Sequence, residues 1–365
     1  MKKNTHKNSF WGKPIYTLAQ NGTEKNQNKN PNPVKIFYGK GSELGNDKFL
    51  KGKAKRKIIT QKMNKALMEI ADKDGNDKQK KSHRNAYYCQ SKICSFEGRL
   101  HGNYCKNRYC TICSSIRKAV IINNYLPVMK EWKEPYFLTL TIKACKANNL
   151  NEMLQKMITA FKLINAKFRK RNQRDKRNQR DNGIRLIGIK SLECNFNREK
   201  GTYNPHFHII VASKEIAETL LSEWLNIWNN KFNQFTSRKA QYIRPVRDLE
   251  RDLVETIKYS SKIFTEPDAN TKSKRIGNID IYAKALYNIF MAMKGLRVFE
   301  RFGFNLPETT KEHIPARIAT DYVEWKFSPQ FHDWLTTENE STLTGYNPNP
   351  ELLNLLEWGI DRESE

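Results

Sequence analysis

Two histidines, His206 and His208, stand on either side of one phenylalanine in the apolar run NPHFHIIVA. Successive side chains of a β-strand point to opposite faces, so both imidazoles would share one face while Phe207 points into the core. Imidazole nitrogen is a common ligand of divalent metals. The spacing therefore predicts a two-point metal clamp. Two polar residues on the solvated face of a strand are the alternative.

A divalent ion needs a further protein ligand, and Glu193 lies in the strand-like run just before the histidines. An antiparallel turn would bring its carboxylate beside the two imidazoles. Two imidazoles and one carboxylate suit Mg²⁺ or Mn²⁺ that acts as a Lewis acid on a phosphate. An ordinary surface carboxylate is the alternative for Glu193.

Residues 248–264 have the periodicity of an amphipathic helix. Apolar residues fall on one face, and the opposite face presents Glu255, Tyr259 and Lys262. A phenol beside a cation and facing a metal-bound phosphate can act as a nucleophile, because the developing negative charge is stabilised. Glu255, one turn before the tyrosine, could take a proton from water in a later hydrolysis. An exposed helix face with paired polar residues is the alternative.

Five of the seven cysteines follow the spacing C-x4-C-x10-C-x4-C-x2-C, and they are Cys89, Cys94, Cys105, Cys110 and Cys113. A two-residue gap lets one turn present both sulfurs to one ion, and a second pair completes a tetrahedron, so the spacing predicts structural Zn²⁺. Five cysteines and His101 exceed the four positions of such a site. We rank Cys110 and Cys113 first and expect Cys94 to be spare. Buried reduced thiols without a metal are the alternative.

The hydrophobic pattern predicts the elements that would position these groups. Alternation predicts strands over 136–142, 184–194, 206–212 and 242–246, and helical spacing predicts helices over 153–168, 216–228 and 248–264. Their order is β-α-β-β-α-β-α, which is typical of a ferredoxin-like antiparallel sheet with an added helix. The predicted fold class is therefore α+β, with a cysteine-rich segment attached. Because that fold hosts many functions, function has to be argued from the residues it carries.

The charge balance favours a nucleic-acid partner. The 365 residues include 65 Lys and Arg against 38 Asp and Glu, a net charge of +27. Such an excess destabilises a compact protein unless a polyanion offsets it. An anionic membrane is the alternative, but no basic amphipathic helix with Trp or Leu anchors is evident. No apolar run approaches the thickness of a bilayer, and the polar start lacks a secretory pattern, so we expect a cytoplasmic protein.

Composition divides the chain into four expected segments. Residues 1–80 form a basic, Asn- and Lys-rich arm, largely flexible apart from a short helix over 59–70, and residues 81–130 hold the cysteines. Residues 131–300 carry the histidine and tyrosine motifs, and residues 301–365 end in an acidic tail. The tail is expected to be a solvating terminus, and an intramolecular competitor for DNA is the alternative.

A short repeat, RNQRDK followed by RNQRDN, has no apolar residue and supplies four arginines, Arg171, Arg174, Arg177 and Arg180. The pattern indicates a charged loop or a helix extension. Its guanidinium groups could bind DNA phosphates, and a merely solvated linker is the alternative.

Four motifs in order resemble the rolling-circle replication initiators of small bacterial plasmids, the single-tyrosine HUH endonuclease family. They are YCKNRYCTIC at 104–113, FLTLT at 137–141, HFH at 206–208 and ETIKYSSK at 255–262. The resemblance covers roughly residues 85–300 and implies an HUH endonuclease domain over 131–300. The cysteine motif departs from the family at Thr111, because the family often has a proline near this turn.

In that family the two histidines hold a divalent metal, as His206 and His208 would here. The resemblance implies that Tyr259 attacks a phosphodiester of single-stranded origin DNA, which gives a 5′-phosphotyrosyl link and a free 3′-hydroxyl that primes synthesis. One branch uses a glutamate four residues before the tyrosine to activate water at termination, and Glu255 occupies that position.

The predicted function is metal-dependent, site-specific nicking and strand transfer at single-stranded and duplex origin DNA, which starts plasmid replication. Since the chain has no G-x4-GK[ST] phosphate-binding loop, a host helicase and DNA polymerase are the expected partners. Two alternatives remain. One is a relaxase or transposase with the same HUH chemistry, and the other is a zinc-containing DNA-binding regulator without catalysis.

Overall fold

The computed structural model describes residues 34–37, 42–177, 183–197, 199–257, 281–307, 316–319, 322–336, 340–358 and 360–361. These residues form helices and two five-stranded antiparallel sheets, which confirms the predicted α+β class. Three residues of the predicted sites, Tyr259, Lys262 and Arg180, lie outside the described residues. None of the described helices combines the length and the apolar character that crossing a bilayer requires.

The described helices, in chain order, are α1 Asp47–Lys73, α2 Asp77–Tyr87, α3 Thr111–Met129, α4 Ala147–Arg177, α5 Lys214–Asn226, α6 Leu249–Thr256, α7 Ala283–Ala292 and α8 Pro350–Trp358. A π-helical turn, Ile227–Lys231, continues α5. The helix predicted over 153–168 lies within α4. The helix predicted over 248–264 begins as expected, and its part beyond residue 257 lies outside the described residues.

The described strands are β1 Val34–Phe37, β2 Ser42–Glu43, β3 Lys92–Phe96, β4 Arg99–Gly102, β5 Tyr136–Thr141, β6 Gly188–Asn197, β7 Thr202–Val211, β8 Tyr242–Pro245, β9 Ile281–Tyr282, β10 Phe299–Phe302, β11 Ala316–Ala319, β12 Val323–Ser328, β13 Asp333–Thr336 and β14 Ile360–Asp361. The five-stranded sheets have the orders β13-β12-β3-β4-β2 and β10-β6-β7-β5-β8.

The chain divides into two compact units that do not follow the four expected segments. The first unit combines Met1–Cys113 with Thr309–Glu357, and the second combines Ser114–Glu308 with Trp358–Glu365. The first unit is discontinuous because β12 pairs with β3, which joins the C-terminal extension to the cysteine-rich segment. Local periodicity does not reveal a pairing between strands so distant in sequence.

In the first unit, much of the segment that we expected to be flexible is folded. The short helix predicted over 59–70 is part of the 27-residue helix α1, and the side chain of Asn46 caps its start by accepting a hydrogen bond from the Phe49 N–H. Its buried face includes Lys53 and Lys57 between apolar residues. The lysine stems supply apolar surface, and these lysines obscured the helical pattern in the sequence.

In the second unit, the two faces of the sheet are covered by different helices. On one face, Leu192, Phe207 and Ile209 pack against apolar residues of α4, α5 and α7. Phe207 is fully buried there, as the alternation predicted. On the other face, Ile189 and Ile210 pack with apolar residues of α3 and α6, Ile121, Tyr125, Met129, Leu253 and Ile257. The predicted histidine clamp lies on this second face.

Candidate active site

The structure brings Glu193, His206 and His208 together on the sheet of the second unit. Strands β6 and β7 pair so that Glu193 lies directly opposite His206. The Glu193 carboxylate oxygen Oε2 is 3.7 Å from His206 Nε2 and 3.5 Å from His208 Nε2. One ligand atom from each of the three residues lies within 4.8 Å of the other two. Glu193, which the sequence suggested as the third ligand, therefore lies where it could bind the same metal ion as the two histidines.

Hydrogen bonds to the other ring nitrogen orient both imidazoles. His206 Nδ1 lies 3.0 Å from the Asn204 carbonyl oxygen, which only accepts, so this nitrogen carries the proton and donates. His208 Nδ1 lies 3.1 Å from the Thr139 hydroxyl. With its proton on Nδ1, His206 directs its Nε2 lone pair at the space beside Glu193. Such support of the far nitrogen is the usual arrangement for metal-binding histidines.

The donor set and its burial fit a divalent metal. Glu193, His206 and His208 are 3%, 4% and 8% exposed. Among the described residues, none makes a hydrogen bond to the buried Nε2 of His208. Burying a polar nitrogen without a partner costs free energy, which a metal bond would offset. Two nitrogen ligands and one carboxylate leave positions open for substrate oxygens, as a catalytic ion requires.

Helix α6 packs on the face that carries this cluster. Leu253 and the C-cap residue Ile257 share an apolar cluster with Ile210, which is two residues beyond His208 on β7 and therefore on the same face. The Asp248 side chain caps the helix by accepting a hydrogen bond from the Arg251 N–H at 3.0 Å. Glu255 is half-buried on this helix. The apolar face of α6 thus agrees with the sequence prediction.

An ion pair that we did not predict fixes α6 to the sheet. Arg244 of β8 donates hydrogen bonds from both terminal nitrogens to the Asp252 carboxylate of α6. The Arg244 guanidinium also lies over the Phe137 ring, 4.8 Å from its centroid. The hydrogen bond to Asp252 raises the pKa of Arg244 above its ordinary value. The sequence feature that could have indicated this ion pair is Asp252, because an acidic residue on the apolar side of a helix needs a buried partner.

The arginine repeat continues α4 as a helix. Arg171, Arg174 and Arg177 lie on its last turns, and Arg171 is paired loosely with Asp175 at 3.9 Å. Of the two structures that the composition allowed, the helix extension is the one formed up to Arg177. Binding of DNA phosphates by these arginines stays a prediction.

Four of the five clustered cysteines meet in the first unit, namely Cys89, Cys105, Cys110 and Cys113. The Cys113 sulfur is 3.7 Å from that of Cys89 and 3.6 Å from that of Cys105. Sulfurs around tetrahedral zinc at 2.3 Å would be about 3.8 Å apart. Cys94 is not in this group, because it lies on β3 directly opposite His101 of β4. The spare cysteine is therefore Cys94, and His101 is not a member either.

Hydrogen bonds stabilise negative charge on one of these sulfurs, and a buried lysine lies beside the group. Hydrogen bonds from the neighbouring thiols lower the pKa of Cys110 well below its ordinary value. Lys57 of α1 is fully buried and donates to the carbonyls of Tyr87 and Cys89 at 2.9 and 2.8 Å. Burial lowers the pKa of Lys57 to about 8. We did not predict this lysine, because its regular spacing with other lysines in α1 resembles a solvated face.

The comparisons with known proteins agree on a family. Residues 98–326, more than half of the chain, match the family model described as Replication protein. A protein named Protein rep from Staphylococcus aureus is 30% identical over 173 residues, which cover 44% of this chain and 70% of that protein. Proteins of the same name from a Bacillus species and from Streptococcus pneumoniae are 26% and 27% identical, and each alignment covers about 45% of this chain.

The chain spans about half the length of these last two relatives, 49% and 51%. No solved structure matches the chain significantly. The family match includes both histidines, Glu193, Tyr259 and three of the four grouped cysteines. The resemblance predicted from the four motifs is therefore confirmed at the level of the family, and the chain belongs to the Replication protein (Rep_1) family.

Proposed function

We propose that this protein is a plasmid replication initiator that nicks and joins origin DNA by the HUH reaction. The observation that carries the proposal is the convergence of Glu193, His206 and His208 on the sheet face that α6 covers. The succession β5-α4-β6-β7-α5-β8-α6 and the strand order β6-β7-β5-β8 support a ferredoxin-like HUH domain. The family match supports a role in replication.

His206 and His208 would hold the catalytic metal through Nε2, and Glu193 through a carboxylate oxygen. A bound Mg²⁺ or Mn²⁺ would stabilise the charge that develops on the scissile phosphate. Thr139 and Asn204 keep the imidazoles oriented for this ligation. The grouped cysteines would hold a structural Zn²⁺ in the first unit.

The Tyr259 hydroxyl would attack the phosphorus of one phosphodiester in single-stranded origin DNA. A bond forms between the phenolic oxygen and phosphorus, and the bond from phosphorus to the 3′ oxygen breaks. The phenol releases its proton to water, and the departing 3′ oxygen takes one up from water. The products are a 5′-phosphotyrosyl link and a 3′-hydroxyl primer. The Lys262 ammonium would stabilise the phenolate during attack.

Glu255 would act at termination as a general base. It would take a proton from a water molecule that attacks the phosphodiester of the regenerated origin sequence. The bond from phosphorus to the 3′ oxygen breaks, and the 3′-hydroxyl so formed attacks the phosphotyrosyl link and releases Tyr259. A carboxylate on α6, one helical turn before Tyr259 in the sequence, suits this role. The single-tyrosine arrangement then needs no second catalytic phenol.

Basic residues would give the protein its affinity for the DNA backbone. The net charge is +27, and the arginines at 171, 174, 177 and 180 would bind phosphates. A host helicase and a host DNA polymerase would extend the 3′-hydroxyl. These steps would take place in the bacterial cytoplasm.

The decisive experiment incubates the full chain with a labelled single-stranded oligonucleotide from its plasmid origin and Mn²⁺. We expect a covalent protein–DNA adduct, and peptide mapping should identify Tyr259 as the residue that is linked to the DNA. Tyr259→Phe and His206→Ala should form no adduct, and Tyr88→Phe, which changes an exposed tyrosine in the first unit, should react normally. Adduct formation by Tyr259→Phe would move the nucleophile elsewhere. Binding without cleavage by the wild type would favour a non-catalytic regulator.

A further inference from the structure

A fixed loop holds Phe235 out into solvent. Of the large apolar side chains that the structure describes, Phe235 is the most exposed, at 80%. Its flanking backbone is hydrogen-bonded: the Thr236 N–H donates to Asn229 Oδ1 at 2.8 Å, and the Gln234 N–H donates to the Trp228 carbonyl at 2.8 Å. These hydrogen bonds fix the backbone on both sides of the exposed ring.

Phe235 lines a groove of about 810 Å³ between its loop and the end of β5. The wall contains Ile142, Met153 and other apolar atoms, and Lys143 and Lys146 are exposed beside them. Of the described residues that line this groove, none is acidic. The loop continues the same charge, because residues 231–247 contain basic residues and no acidic ones. An anionic ligand with flat apolar faces fits this combination.

The groove lies at the end of the sheet that contains His206, on the face that α4 and α5 cover, which is opposite to the face of the metal cluster. Thr141, the last residue of β5, lies directly opposite His206 of β7, and the next residue, Ile142, lines the groove. The Thr141 carbonyl accepts hydrogen bonds from the Trp224 indole at 3.1 Å and from the Thr236 hydroxyl at 3.3 Å. The hydrogen bond from Thr236 thus connects the Phe235 loop to β5, the strand that pairs with the histidine strand β7.

We propose that Phe235 is a stacking platform for a base of the single-stranded DNA that the protein binds, with Lys143 and Lys146 at its phosphates. The inference rests on the proposed function for its substrate. An unpaired base offers a free aromatic face to the ring, whereas duplex bases are already stacked on one another. A second copy of this chain is the less suitable occupant, since it carries the same charge of +27 and would be repelled.

The test measures binding of a labelled oligothymidylate to the full chain by fluorescence anisotropy, without Mg²⁺ or Mn²⁺ and without a chelator. Phe235→Ala should bind roughly 5- to 100-fold more weakly, and Phe235→Trp should retain the affinity. The slope of log affinity against log salt should be the same for wild type and Phe235→Ala, because stacking releases no counterions. Replacing Lys143 and Lys146 by Gln should reduce that slope by about 0.7 for each phosphate that is no longer neutralised.

The matched control is Phe331→Ala, which removes a ring that is 53% exposed in the first unit and should leave binding unchanged. Photocrosslinking of the unmodified protein to an oligonucleotide with 5-iodouracil should map to Phe235. Unchanged affinity of Phe235→Ala would overturn the inference, as would loss of self-association in sedimentation with normal DNA binding. If Phe235→Ala lowers the melting temperature, the binding measurement is made with Phe235→Leu, which also removes the aromatic ring. Failure to nick would sink the proposed function but leave this binding result intact.

Discussion

Asp252 of α6 and Arg244 of β8 form a two-point ion pair, with Arg244 Nη1 2.7 Å from Asp252 Oδ2. The Asp252 carboxylate is 7% exposed and the Arg244 side chain 29%. The pair ties the helix that leads to Tyr259 to the edge strand of the sheet that carries the histidines. Because a buried carboxylate needs its partner, the pair fixes the direction in which α6 lies.

Arg244→Met keeps the aliphatic stem but leaves Asp252 without its guanidinium. We expect a loss of about 2 kcal/mol in the free energy of unfolding, with faster amide hydrogen exchange in α6 and slower nicking. Urea unfolding, hydrogen exchange and the oligonucleotide assay measure these effects. Lys167→Met, which removes a more exposed pair with Glu223, should cost less than about 1 kcal/mol. Equal losses in the two variants would contradict the assigned role of Arg244.

Thr139→Val removes the hydroxyl that orients His208 and preserves the shape of the side chain. We expect Mn²⁺ affinity to fall about 10- to 100-fold, because His208 Nδ1 loses its hydrogen-bond partner and the ring its fixed orientation. Isothermal titration of the full chain measures the affinity. Thr202→Val, at the start of β7, is the control and should bind Mn²⁺ as the wild type does. A wild-type affinity for Thr139→Val would show that another contact orients the ring.

Cys110→Ser and Cys94→Ser compare a cysteine of the group with the spare cysteine. The two variants are matched because both residues are buried. Cys110→Ser should lower the zinc content and the melting temperature together, because a bound zinc ion would hold the cysteine loops together. Cys94→Ser should keep one zinc per chain. Plasma emission spectrometry and thermal melting provide the two measurements. Zinc loss in Cys94→Ser, or a zinc-free wild type that melts normally, would contradict the assignment.

The buried His83 should make the stability of the first unit depend on pH. Burial lowers the pKa of His83 from 6.5 to about 4. Between these two pH values the unfolded chain therefore binds more protons than the folded chain. The contribution of His83 to the free energy of unfolding is fully present above pH 6.5 and is lost as the pH falls toward 4, by about 3 kcal/mol in all. Urea unfolding at several pH values measures the slope. The same series on His83→Gln should be flatter in this window, and parallel slopes would assign the loss to other groups.

Glu255→Ala tests the base proposed for termination. The first cleavage should proceed at the wild-type rate, because the nucleophile and the metal ligands are intact, while the water-dependent cleavage at termination should slow. A single-turnover assay on an oligonucleotide with two cleavage sites follows both steps. Glu250→Ala, an exposed residue of the same helix, is the control. Unchanged release of the joined product by Glu255→Ala would remove this role.

The sequence by itself determined the local features of this protein. Alternation along β7 was enough to place both imidazoles on one face and Phe207 in the core, since strand periodicity is a property of neighbouring residues. The two-residue gap from Cys110 to Cys113 likewise indicated a shared ion. The strands at 136–141 and 242–245 follow from short apolar runs in the same way.

Only the tertiary structure decided which distant groups meet. The register of β6 against β7 sets Glu193 opposite His206, and the pairing of β3 with β4 holds Cys94 opposite His101 and outside the cysteine group. The pairing of β3 with β12 made one unit from both ends of the chain. Register and long-range pairing depend on the combined burial of many side chains, so no short stretch of sequence contains them.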